Sequence, residues 1–198
     1  MLQQSPTVGP SKGMATSRLF FALYPTAAVR DAIYEASRDA VQATDGKPVP
    51  AENFHMTLVF LGSVSPDSLS LVKSIAASVT SGPCRVELDR YGYWKEPRVL
   101  WCGASRVLPA AAMLAANLRE RLALAGFRPD PHPFVPHVTL ARKVRHPGTL
   151  GAFGPVRWEA DSFALMSSVT GAHGSEYSPL ATYALGASGN SIMGNKGH

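Results

Sequence analysis

Cysteine is scarce in this 198-residue chain, with only Cys84 and Cys102 present. They make no CxxC pair and no metal-finger spacing. Both fall in strand-like stretches, so two buried free thiols in a reducing compartment are expected. Long apolar runs are lacking as well, and none approaches the roughly 20 residues that span a bilayer. The run Leu19 to Leu23 (LFFAL) is too short for the core of a secretion signal and is followed by Tyr24 and Pro25. The expected location is the cytoplasm. Acidic residues are the minority, 14 against 19 lysines and arginines, for a formal charge of +5. Net charge bears on association rather than on fold, and this sign favours an anionic partner. HxxxH, HxH and clustered carboxylates are missing too, so no metal site is read from the chain.

What is present is ordinary for a globular protein: 45% apolar residues and a mean hydropathy of zero. The length suggests one domain. Residues 1–16 are rich in Gln, Ser, Pro, Gly and Lys without periodicity, and the stretch 186–198 is similar. Both read as flexible ends around a domain at 17–185.

The pattern within that domain predicts strands at Arg18–Tyr24 and Phe54–Leu61, the second ended by Gly62. Further strands are expected at Cys84–Trp94, Arg98–Gly103, His137–Arg142, Trp158–Val169 and Ser175–Leu185. Helices are expected from Ala27 to about Ala43, from Ser65-Pro66-Asp67 to about Thr80 with Ser65 as the cap and Pro66 at the first position, and at Pro109–Ala125. The third carries Leu114, Leu118, Leu122 and Ala125 on one face and stops at Gly126. Thr44–Pro50, Arg128–Pro136 and Arg145–Pro155 read as loops. Strand pairs mixed with helices define an α+β pattern rather than a doubly wound parallel sheet.

Two phrases in this pattern nearly coincide. His55-Met-Thr-Leu and His137-Val-Thr-Leu lie 82 positions apart, each in an apolar run. Residues i and i+2 of a strand share a face, so each phrase sets an imidazole beside a hydroxyl. One His-x-Thr strand usually means a histidine satisfied at a core edge. Two facing copies supply two titratable nitrogens and two hydroxyl donors, a set suited to acid–base chemistry on a phosphodiester. Histidine fits because its ordinary pKa is about 6.5, so one ring can accept a proton while the other donates one. The hydroxyls of Thr57 and Thr139 would hold phosphate oxygens where charge grows. Arg142 suits phosphate. Its odd offset from His137 points it to the opposite face of a straight strand, and a strand end or a bulge after Leu140 would turn it inward. His132, His146, His173 and His198 sit among prolines, in a loop, in a turn and in the tail, and read as solvated.

These segments resemble the two-histidine phosphoesterase superfamily, and within it the RNA 2′,3′-cyclic phosphodiesterases, also called 2′-5′ RNA ligases. The resemblance spans about residues 17–185. It rests on RLFFAL at Arg18–Leu23, NFHMTLVFLG at Asn53–Gly62 and RVLWCG at Arg98–Gly103. It continues in PFVPHVTLAR at Pro133–Arg142 and in Tyr177-Ser-Pro-Leu180. It implies a bilobal α+β fold with pseudo-twofold duplication, in which two antiparallel sheets face a central cleft and helices lie outside. It also implies hydrolysis of a terminal 2′,3′-cyclic phosphate to a 2′-phosphate with no cofactor and no metal. Carried over, His137 is the base that activates water and His55 the acid that protonates the departing 3′ oxygen. Thr57, Thr139 and Arg142 would bind phosphate, and Phe134 would stack on the terminal base. Tyr24 departs from the pattern, since relatives often carry a polar residue before the proline. The implied partners are RNA ends or small cyclic nucleotides, with no membrane, and the protein is expected to be a monomer. Competing readings are 2′-5′ ligation, 2′-5′ phosphodiester hydrolysis, a metal site built on His55 and His137, and an RNA-binding module without catalysis. Tyr91, Tyr93 and Trp94 permit the last.

Overall fold

The computed structural model describes residues 17–106, 108–171 and 174–186. Both expected flexible ends, apart from Gly186, lie outside the described residues, as do His173 and His198. The strands are β1 (Ser17–Leu23), β2 (Lys47–Pro48), β3 (Met56–Val64), β4 (Cys84–Leu88) and β5 (Arg90–Trp94). They continue as β6 (Val99–Gly103), β7 (His137–Arg142), β8 (Val156–Ala160), β9 (Ser162–Gly171) and β10 (Gly174–Ala184). Helices α1 (Ala27–Gln42), α2 (Leu69–Ala77) and α3 (Pro109–Leu124) interrupt them.

The fold is α+β with antiparallel sheets. One four-stranded sheet runs β10-β9-β1-β3 and the other β2-β7-β6-β5, while β4 and β8 pair alone. The two larger sheets repeat one unit. In each, two adjacent antiparallel strands are joined through a helix, β1–α1–β3 in the first and β6–α3–β7 in the second. A third strand pairs with the leading one, β9 on β1 and β5 on β6. The motif-bearing strands β3 and β7 pack against each other where the sheets meet.

Strand alternation assigns the faces. Leu19, Phe21 and Leu23 of β1 enter the main core with Leu100 and Cys102 of β6 and with Val138 and Leu140 of β7. The opposite face of β1 carries a separate small cluster of Phe20, Ala22, Ala164 and Met166. Helix α1 begins at Thr26, whose hydroxyl accepts the Val29 N–H. Helix α3 starts on Pro109 and buries Leu114, Leu118 and Leu122. Ala125 lies past its end and is exposed, so it is not on the buried face as expected. Gly126 takes φ 88° and stops the helix.

Five expectations need correction. Gly62 does not end β3; at φ 74° it passes through an irregular step in the ladder and the strand continues to Val64. The run Cys84–Trp94 is two strands in different sheets, broken at Asp89, and Trp158–Val169 is likewise broken at Asp161. Lys47 and Pro48, expected in a loop, pair with Arg142 and Ala141 of β7. The second helix opens as a 3-10 turn at Pro66–Ser68, and the Ser65 hydroxyl meets that of Ser68 rather than a backbone N–H.

Both cysteines are buried free thiols, and burial pushes the Cys84 pKa up to about 11. Among the described residues, no helix is long and apolar enough to cross a membrane.

Candidate active site

The two histidines occupy equivalent places. Each precedes or opens its strand and turns its ring back onto the approach segment. His55 Nδ1 lies 2.7 Å from the Asn53 carbonyl, and His137 Nδ1 lies 2.7 Å from the Val135 carbonyl. A carbonyl only accepts, so each Nδ1 carries the proton and donates it. The neutral ring then leaves its Nε2 lone pair free for chemistry. Thr57 and Thr139 follow on the same face at i+2, both half-buried.

The leucine that completes each motif has a specific job. Ala22 pairs with Thr57 and Phe21 with Val59, so Leu58 is the extra residue of a bulge. Trp101 pairs with Thr139 and Leu100 with Ala141, so Leu140 is the extra residue of a second bulge. The two bulges fall at the same motif position. Each inverts the alternation beyond it, so Leu58 and Val59 are both buried, as are Leu140 and Ala141. Position i+5 is thereby returned to the face of the histidine. In β7 that position is Arg142, whose charge acts on both imidazoles. The same position in β3 is Phe60, half-buried against the small cluster of Phe20 and Met166.

Aromatic rings wall each imidazole. Tyr24 lies nearly parallel to His55, 17° between planes and 5.6 Å between centroids. Phe20 and Tyr177 approach it at 5.0 Å each. Around His137 the wall is tryptophan: Trp94 meets the ring edge-on at 4.5 Å and Trp101 at 6.2 Å. Trp101 lies across β5 because its cross-strand partner is Gly92, where a Cβ would stand 2.0 Å from the indole. These rings set the proton affinities. Burial holds the His55 pKa down at about 4; the Asn53 carbonyl opposes this, and His137 and Arg142 lower it further. Burial also lowers His137, against the Val135 carbonyl and with Arg142. Burial thus disfavours the charged form of both rings in the free protein.

Thr57 thus shares the face of His55 on β3, Thr139 and Arg142 share the face of His137 on β7, and the charges of His137 and Arg142 act on His55 across the meeting of the two sheets. Phe134 is half-buried and packs against the main core. The exposed His132 and His146 pair instead with Asp130 and Asp45. Phe20, Tyr24, Tyr177 and Trp101 were not read from the sequence as walls of the site. The alternation Phe20, Ala22, Tyr24 on one face of β1 was a usable signal for two of them. Among the described residues, no group of three or more His, Cys, Asp or Glu is placed to hold a metal ion.

An α+β duplication carrying one His-x-Thr strand in each half is the architecture of a two-histidine phosphoesterase. The LigT-like phosphoesterase family model matches residues 24–101 and 104–177, and the chain belongs to that family. The RNA 2′,3′-cyclic phosphodiesterase of Escherichia coli K12 is 32% identical over 170 residues, covering 85% of this chain and 96% of that protein. The Thermus thermophilus protein of the same name is 33% identical over 180 residues, covering 85% of this chain and 90% of that protein. Among solved structures, E. coli LigT complexed with 3′-AMP superposes with a TM-score of 0.80 at 31% identity, covering 86% of this chain and 99% of that one.

Proposed function

We propose that the protein hydrolyses the 2′,3′-cyclic phosphate at an RNA end to a 2′-phosphate. The observation that carries this reading is the pair of imidazoles, each held through Nδ1 by a backbone carbonyl so that Nε2 is left free, and each two residues ahead of a motif threonine. Its named relatives are RNA 2′,3′-cyclic phosphodiesterases, which supports the same substrate. His137 takes a proton from the attacking water. His55 gives one to the 3′ oxygen as its bond to phosphorus breaks. Thr57, Thr139 and Arg142 hold the nonbridging oxygens, where negative charge builds. Phe134, half-exposed ahead of His137, stacks on the terminal base.

The resting electrostatics fit a two-step loading. A neutral His137 is ready to accept a proton. His55 likewise carries only its Nδ1 proton until an anion enters and brings a second to Nε2, because a nearby negative charge favours the charged imidazole. The cyclic phosphate supplies that charge and so arms its own acid. One molecule of this chain, acting as a monomer in the cytoplasm through residues 17–185, contains every group the scheme uses.

The test is incubation with a 2′,3′-cyclic mononucleotide and with a short RNA ending in a cyclic phosphate, in EDTA, with the product isomer identified. A 2′-phosphate supports the scheme. A 3′-phosphate would reverse the ring orientation, a 2′-5′ linkage would favour ligation, and affinity without turnover would favour a binding module. Activity that EDTA abolishes would favour the metal reading.

A further inference from the structure

Beyond Arg142 the second sheet ends in a basic hollow. It has a volume of about 460 Å³ and is lined by Lys47, Arg98, Lys143 and Arg145 with a single carboxylate, Asp45. That carboxylate is already engaged. It accepts the N–H groups of Arg145 at 2.8 Å and His146 at 3.0 Å, and the His146 imidazole at 3.0 Å. Among the described residues, none of the four cations has a carboxylate within ion-pair distance. All four are exposed.

The backbone holds them there at a cost. Arg98 has φ 56° and Lys143 φ 60°, the only non-glycine residues with positive φ among those described. Such angles are uncommon for side-chain-bearing residues and cluster at ligand sites. The two flank the same rung of the ladder, Val99 opposite Arg142, from opposite strands. On the other side of Arg142 the partner is Lys47. The Arg98 carbonyl accepts the N–H of buried Val144 at 3.0 Å, and the Val144 carbonyl accepts the Tyr93 hydroxyl at 2.8 Å. The strained corner is therefore pinned to the core, and the cations surround the rung that carries the phosphate-facing arginine.

We propose that this hollow binds a second phosphate of the substrate, an internal phosphodiester of an RNA strand whose cyclic end lies between the histidines. The inference rests on the reading above and makes it narrower: the preferred substrate is an oligonucleotide. A mononucleotide has no group for this hollow. Clustered, unpaired cations bind polynucleotide phosphate through counterion release, so the interaction weakens steeply with salt.

The test compares kcat/KM for a 2′,3′-cyclic mononucleotide and for a pentanucleotide ending in a 2′,3′-cyclic phosphate. Wild type is expected to favour the pentanucleotide, more so at low salt. The R98G/K143G variant removes two charges while supplying the residue that takes positive φ freely, so folding is kept. K47Q/R145Q removes the other two without touching the strained corner. Each is expected to cut the pentanucleotide preference by about tenfold at low salt and to leave mononucleotide turnover unchanged. No preference in wild type, or equal losses on both substrates, would overturn the proposal. Anisotropy of a labelled RNA pentanucleotide reads the hollow without turnover. If wild type cleaves neither substrate, the hydrolase reading fails, while binding that both variants weaken still supports the hollow. Binding that neither variant weakens ends it.

Discussion

The two motif-bearing sheets share a scaffold and differ in electrostatics. Both join two antiparallel strands through a 16-residue helix. Each fixes Nδ1 of its histidine at 2.7 Å from a carbonyl two residues upstream and bulges at the motif leucine. Position i+5 then holds Phe60 in one and Arg142 in the other. The walls differ as well, with phenylalanine and tyrosine around His55 and tryptophan around His137. Duplicated backbone geometry places two equal groups, and side-chain changes give each its own neighbours without a second fold.

The comparison breaks most sharply at the histidines. H55A and H137A are each expected to lower kcat by about 10²-fold or more, and the double variant by little beyond that, because the rings act as a unit. Circular dichroism and thermal melting check that the fold survives. Near-normal rates in either single variant would mean the halves do not act as a pair.

A smaller effect distinguishes the i+5 positions. R142Q is expected to raise KM for a cyclic phosphate by about tenfold, as loss of a charge-assisted hydrogen bond implies. F60L is expected to change it by less than about twofold, since an apolar contact is kept. Equal effects in steady-state assays would erase the asymmetry.

The tryptophan wall is tested through Gly92. The added methyl of G92A meets the Trp101 ring at 2.0 Å and has no free space. The expected cost is about 1–3 kcal/mol in urea unfolding. A variant as stable as wild type would show that Trp101 is not held in place by this contact.

The smallest effect concerns pH. His55 titrates at about 4 and His137 below 6.5 in the free protein. The base must be neutral and the acid charged, so kcat/KM should be bell-shaped with its maximum on the acid side of 6.5. Y24A admits water to His55, raises its pKa and moves that maximum upward. An optimum above neutrality that Y24A leaves in place would contradict the cage. Stability follows the same group with a definite sign. A lowered folded-state pKa contributes stability that is complete above 6.5 and is lost as pH falls toward about 4.

Much of this site was legible because strands report their faces with period two. The motifs and the placing of each threonine beside its histidine follow from alternation. Arg142 did not, since straight alternation points it away; its place depends on one extra residue at Leu140. The breaks at Asp89 and Asp161 were missed because the apolar pattern continues across them. Each is a single aspartate between strands of different sheets, and aspartate is depleted in strand interiors, so a weak mark was there. The Asp89 corner is held by its N–H on the Gly103 carbonyl and by its carboxylate accepting the Ser105 N–H, contacts far apart in sequence. Such long-range closure leaves no local trace.

The edge-on packing of Trp94 on His137 also gives the protein an optical reporter. A charged imidazole quenches a neighbouring indole, whereas a neutral one does so weakly. The chain has three tryptophans, and Trp158 is buried in the core, leaving Trp94 and Trp101 at the histidine. Intrinsic emission therefore follows the charge on His137, the ring that stays neutral until it takes a proton from water, in the unlabelled protein and in real time.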